Sequence, residues 1–131
     1  MGCKYIATDG TPTWAPYYPG YAAIKPSTEA IAYVADNPHA LFVINCNGAM
    51  GDANLFINAN FATAITGNNT TGYSLGELDV ATVNTTASLN MKVVGFDDEG
   101  SVSAGAVDKT AAGRLAIVKL NVHFMDSTSG I

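Results

Sequence analysis

Ile117-Val118-Lys119-Leu120-Asn121-Val122-His123-Phe124 is the stretch that decides the fold class. Val118, Leu120, Val122 and Phe124 fall on one side of an extended chain, and Ile117, Lys119, Asn121 and His123 fall on the other. That period of two belongs to a half-buried strand and not to a helix. The same alternation recurs upstream. Leu89, Met91 and Val93 alternate with Ser88, Asn90 and Lys92, and Leu55, Ile57, Ala59 and Phe61 alternate with Phe56, Asn58 and Asn60. Two further apolar runs, Glu29–Ala35 and Ala40–Cys46, flank Asp36-Asn37-Pro38-His39. Asp and Asn bond their own backbone and Pro fixes φ, so the pair reads as a β-hairpin with His39 in its turn. Ala104–Leu115 is the best helical candidate, but Gly105 and Gly113 weaken it, and it reads as a long loop or a short helical turn.

These signals predict an all-β fold, a small antiparallel β-sandwich or barrel with long loops. Pro12, Pro16 and Pro19 interleave with Tyr5, Trp14, Tyr17, Tyr18 and Tyr21 in the opening stretch. Proline removes ladder donors, so this part reads as a loop or a broken edge strand pinned by rings. Lys25-Pro26-Ser27 makes another break. The resulting organisation is one β domain over residues 1–131, with an entry segment at 1–28, a β core at 29–125 and a tail at 126–131.

Composition narrows the function. The chain has 131 residues, of which 48% are apolar and 13% charged, with 6 basic against 11 acidic side chains. That apolar share excludes a disordered chain. No run reaches the ~18–20 apolar residues of a membrane-spanning helix, and no basic n-region with an apolar run opens the chain as a secretory signal would. The acidic balance argues against a phosphate-tracking nucleic-acid surface. Charged residues are about half as frequent as the usual ~25%, replaced by Thr, Asn, Ser, Ala and Gly. Such a surface suits packing against other proteins, and equally suits a secreted or viral β protein with neutral loops.

Few residues carry chemistry. Cys3 and Cys46 lack the spacing of a zinc knuckle or a CxxC motif, and two ligands cannot close a tetrahedral site. Cys46 ends an apolar strand, so the pair is read as buried and reduced, with a disulfide between them as the alternative. Gly72-Tyr73-Ser74-Leu75-Gly76 matches the GxSxG elbow, which needs a strand before it and a helix after it. Here the loop Thr66–Thr71 precedes it, Glu77-Leu78-Asp79 opens no long helix, and His123 lies on a strand's polar face. Asp97-Asp98-Glu99-Gly100 lacks the alternating spacing of a Ca²⁺ loop and reads as an acidic turn. Asn68, Asn69 and Asn84 begin sequons that arise readily in an Asn- and Thr-rich chain. No catalytic residue, metal or cofactor is expected. The cluster Trp14, Tyr17, Tyr18 and Tyr21 admits three readings: a cap on the core, a protein interface, or a platform for sugars.

Three stretches in order carry a resemblance: Thr13–Gly20 (TWAPYYPG), Ala32–His39 (AYVADNPH) leading into Leu41–Ile44, and Gly67–Ser74 (GNNTTGYS) running through Glu77–Asp79 to Val93–Phe96. They span residues 13–96, and the likeness covers most of the chain. Their order resembles that of small structural proteins of tailed bacteriophages, encoded with capsid genes and regarded as capsid decoration (cement) proteins. Members of that group tend to carry further β structure ahead of the position that Cys3 matches. The resemblance implies a non-enzymatic virion protein, assembled in the bacterial cytoplasm, that binds the outer face of the capsid lattice. Its partners would be the major capsid protein and further copies of itself as a dimer or trimer, with no nucleic acid and no membrane. The expected contact residues are Trp14, Tyr17, Tyr18, Asn68, Asn69, Thr70, Thr71 and Tyr73, within the aromatic cluster and the loop Gly67–Gly76. The competing expectation is a carbohydrate-binding β-sandwich for host-surface attachment.

Overall fold

Alternating apolar residues become strands only where a partner strand shares their register. A computed structural model describes residues 2–63, 67–68, 71–72, 74–98 and 108–123. The chain is all-β, with eight strands and two three-residue 3-10 turns among the described residues. It divides into two compact units. The first is Met1–Asp36 with Thr66–Leu75, and the second is Asn37–Ile65 with Gly76–Ile131.

The second unit is a closed five-stranded barrel. Its strands are β4 (Leu41–Cys46), β5 (Asn58–Phe61), β6 (Glu77–Asn84), β7 (Met91–Phe96) and β8 (Leu115–Leu120), in the order β4-β6-β5-β7-β8. β8 closes the cycle by pairing antiparallel with β4, Val43 opposite Ile117 and Asn45 opposite Leu115. The one parallel seam joins β4 to β6, where Cys46 lies opposite Leu78. Inward residues alternate along β7 and β8. Ala116 and Val118 of β8, Met91 and Val93 of β7, Ala59, Leu78, Cys46 and Met50 are all buried in one cluster. Register slips between Val93 and Gly95, an irregularity of the kind that sharpens strand curvature and helps a narrow barrel close.

Closure removes sheet edges but leaves amides unpaired at the barrel ends, and asparagines satisfy them. At one end the Asn121 side chain donates to Asn58 Oδ1 at 2.9 Å and to the Leu89 carbonyl at 3.1 Å, while Asn60 Oδ1 accepts from the Asn90 N–H at 3.1 Å. Beside the parallel seam Asn45 donates to Glu77 at 2.8 Å, and Asn47 accepts from the Val80 N–H at 3.0 Å. Part of the neutral polar composition is therefore internal to the barrel and not reserved for its surroundings.

Arg114 holds the start of β8. It is only 2% exposed. Its guanidinium donates to both Asp98 carboxylate oxygens at 2.8 Å, to Asp52 at 2.8 Å and to the Met50 carbonyl at 2.7 Å, and it stacks 3.6 Å from the centre of the Phe96 ring. Hydrogen bonds from Lys109 and Arg114 hold the Asp52 carboxyl below its ordinary range, and Arg114 does the same for Asp98.

The first unit is a three-stranded sheet, β2-β1-β3, built from β1 (Gly2–Ile6), β2 (Pro12–Ala15) and β3 (Ile31–Tyr33). Ser27, at φ 63°, follows Pro26 in a turn closed by the Thr28 N–H donating to the Lys25 carbonyl. Cys3 and Ile24 are this unit's buried apolar side chains among the described residues.

Several sequence expectations are corrected. Glu29–Ala35 and Ala40–Cys46 do not form a hairpin: β3 pairs with β1, β4 pairs with β8 and β6, and the intervening Asp36-Asn37 marks the boundary between the units. The opening stretch holds two paired strands and not a loop or one broken edge strand. The alternation from Leu55 gives strand only from Asn58, because Asp52–Asn54 is a 3-10 turn and Phe56 has φ 64°. β8 stops at Leu120, since Asn121 turns its side chain to the barrel end and Val122 is exposed. β6, the longest strand, carries no clean period of two. Of the helical candidate Ala104–Leu115, residues 104–107 lie outside the described residues, 108–113 form turns and bends, and Leu115 begins β8. Cys3 and Cys46 are free and buried, as read, and burial pushes the Cys46 thiol up to about 11.

Three outcomes follow for this scaffold. Arg114→Lys removes the fork but keeps a charge, and lowers stability by about 2 kcal/mol in urea unfolding. This is less than the ~3–5 of a fully enclosed pair, because the carboxylates stay in water. The Asp52 and Asp98 shifts are downward, so their stabilisation is complete above about pH 4 and is lost as pH falls through the lowered values. An acid titration followed by circular dichroism therefore shows a wider stability loss for wild type than for Arg114→Met. A thiol-reactive chromogenic reagent modifies Cys46 only on unfolding, because the thiolate is both buried and disfavoured.

Candidate functional site

Strand register decides which side chains share a face of the first unit's sheet. Lys4 lies opposite Trp14 on one side and Ile31 on the other, and Gly2 lies opposite Tyr33. Residues directly opposite share a face, as do residues two apart. Gly2, Lys4, Trp14, Ile31 and Tyr33 therefore lie on one face, with Cys3, Ala15 and Ala32 on the reverse.

The exposed face is held in place by a glycine. A Cβ on Gly2 would fall 2.7 Å from Trp14 Cε2, so the indole lies across the space that a side chain would fill. Trp14 remains 60% exposed, Ile31 54% and Tyr33 52%. Nearby in sequence, Tyr18 and Tyr21 meet edge to face, with ring centres 5.9 Å apart at 83°. Partial withdrawal from water, with Tyr21 alongside, raises the Tyr18 phenol above its ordinary value.

The loop expected to make contacts belongs to this same unit. Gly67 and Ser74 form an isolated antiparallel bridge. Asn68 shapes the turn between them, its carbonyl accepting from the Gly72 N–H at 2.7 Å and its side chain accepting from the Thr71 N–H at 3.1 Å. Gly72 has φ 73°, and any side chain there would overlap the Tyr17 ring. The structure thus brings Tyr17 and the loop together. Tyr17 is a half-buried anchor beneath Gly72, whereas Trp14 and Tyr18 are exposed. Asn69, Thr70 and Tyr73 lie outside the described residues.

Sequence reasoning missed Ile31, Tyr33 and Val34 as surface residues. Their apolar run, read as half of a hairpin, looked like core, and nothing in its pattern marks it as an edge. Asp98 of the acidic turn is engaged by Arg114. Among the described residues, no group of three His, Cys, Asp or Glu side chains is placed to hold a metal ion.

Comparison of the chain with protein families, with characterised proteins and with solved structures gives no match.

Trp14 is the one tryptophan, so its fluorescence reports on this face alone. Gly2→Val displaces the indole and shifts its emission to longer wavelength. Gly72→Val strains the left-handed backbone and evicts Tyr17, at about 1–3 kcal/mol. Limited proteolysis of that variant therefore cuts faster within residues 66–75 than in wild type.

Proposed function

We propose that the protein is a structural component of a phage virion that binds the outside of the capsid lattice and stabilises it, with the first unit supplying the contact surface. The observation that carries this reading is the contrast between that unit's core and its surface. Among the described residues two apolar side chains are buried there, while Trp14, Tyr18, Tyr21, Ile31, Tyr33 and Val34 stand between 45% and 89% exposed. Exposed apolar side chains gathered on one face, as Trp14, Ile31 and Tyr33 are, mark interaction sites in soluble proteins, and aromatic residues concentrate in protein interfaces. The order of the three motif stretches supports the shell as the partner. A protein that binds the assembled shell and not free subunits shifts the equilibrium toward assembly by mass action, and many copies make modest contacts collectively large.

Purified particles test the proposal. The polypeptide is expected in simple stoichiometry with the coat subunit, and heads lacking it are expected to lose heat and osmotic resistance. Trp14→Ala is expected to lower occupancy at least tenfold. A protein absent from particles, or unchanged occupancy in that variant, refutes it.

A second reading has its own support. Trp14 and Tyr33 flanking Gly2 on one exposed sheet face have the form of a platform that stacks against sugar rings. Glycan-array binding that disappears in Trp14→Ala, with virion occupancy intact, favours that reading over the first.

A further inference from the structure

The edge of the first unit's sheet at β3 is open, apolar and acidic at both ends. All residues from Glu29 to Asn37 are exposed. Between Glu29 and Asp36 runs Ala30-Ile31-Ala32-Tyr33-Val34-Ala35, with no charge, proline or glycine. Natural edge strands are usually blunted by shortness, lysine, proline or a bulge; this one is short, at three residues, and carries none of the other three.

Hydrogen bonding shows which groups point outward. At the turn end of the β1–β2 ladder the Ala7 N–H donates to the Thr11 carbonyl at 2.9 Å. Alternation along β1 then turns Tyr5 and Cys3 toward β2, and Gly2, Lys4 and Ile6 toward the opposite side. The Ile6 carbonyl accepts there from the Lys25 N–H at 2.9 Å, as this pattern requires. Lys4 and Gly2 thus bond Ile31 and Tyr33, and the N–H and C=O of Ala32 point to the open side; continued extension of the chain past β3 would turn those of Ala30 and Val34 the same way. Among the described residues, no hydrogen bond outside the β1 ladder reaches residues 29–36.

We infer that this edge takes up an extended segment of another polypeptide as a fourth strand, and that the incoming segment is apolar with Lys or Arg at its two ends. β3 itself offers three residues, about 10 Å of edge, and the uncharged residues on either side of it lengthen the surface that main-chain bonds and side-chain pockets can use to hold and select a strand. Charge identifies the occupant. Glu29 and Asp36 bracket the run, and the sheet's cation, Lys4, sits one strand inboard. A second copy is a poor partner. Antiparallel self-pairing about the middle of the run brings the Glu29 end of one copy to the Asp36 end of the other, and parallel pairing sets Glu beside Glu and Asp beside Asp. Like charges across strands destabilise pairing. The inference concerns the edge alone and stands whether or not the partner is a capsid subunit.

The test uses the full-length chain and two synthetic nonapeptides of alternating Val and Thr, one with paired Lys at each end and one with paired Glu. Amide NMR titration is expected to show saturable binding of the Lys-flanked peptide, with shifts centred on Ala30, Ala32 and Val34. The Glu-flanked peptide is expected to bind at least tenfold more weakly, and Glu29→Lys/Asp36→Lys is expected to reverse that order. Ala32→Pro removes the outward donor without breaking a β1 bond, and is expected to abolish binding while the other amide signals persist. Binding without preference between peptides, or shifts elsewhere, overturns the inference. So does protection of these amides in the isolated monomer, which means the chain covers its own edge. Protection that appears only as concentration rises also overturns it, because a second copy is then the occupant.

Discussion

One guanidinium holds an end of the barrel together. Arg114 leads into β8, and through its four hydrogen bonds it reaches the turn after β7 and the connection between β4 and β5. β8 is the strand that closes the cycle, since it pairs with both β7 and β4. A planar fork that bonds two carboxylates and a carbonyl at once fixes these segments in a single arrangement. The Phe96 ring covers its face, which keeps the cation away from water without leaving it unpaired. The cluster of side chains around Leu78 and Val118 packs between the segments that this network holds in register.

The two units solve the problem of a strand's open side differently. The barrel has a continuous core and no edge. The three-stranded sheet has, among the described residues, two buried apolar side chains, and it has two edges, one of them apolar along its length. A sheet of three strands is near the lower limit of independent stability, so the surface it leaves uncovered matters to its own folding as well as to binding. Tyr17 beneath Gly72 and the Gly67–Ser74 bridge contribute packing that the sheet alone lacks.

Legibility in the sequence followed burial. In β7 and β8 one face is enclosed and the other is wet, and the alternation at Met91, Val93 and Val118 stands out. β6 is not legible because its inward positions change phase, from Leu78 and Val80 to Val83, where its register with β5 slips, and its role as the parallel partner of β4 is set by closure over a long separation. The hairpin expectation failed for a related reason. Asp36-Asn37-Pro38-His39 has real turn chemistry, but turn chemistry fixes a local bend and not which strands pair. At the surface site the aromatic cluster was legible from composition alone. The division of labour within it was not, because whether Tyr17 anchors and Trp14 faces outward depends on glycines at positions 72 and 2, which are distant in sequence. The open edge was hidden by its likeness to core: an uncharged apolar run reads the same whether it is enclosed or waiting for a partner.

The first unit is discontinuous, since residues 66–75 arise from the connection between two barrel strands. The polypeptide therefore passes from one unit to the other three times. A newly made chain cannot complete the opening sheet's surroundings until more than half of it has left the ribosome, so the amino-terminal strands must wait for a segment that the barrel delivers. Once folded, a single nick at any one of the three passages frees neither part. Deletion of the first 36 residues would leave the remaining barrel with a stranded insertion, its anchoring tyrosine gone.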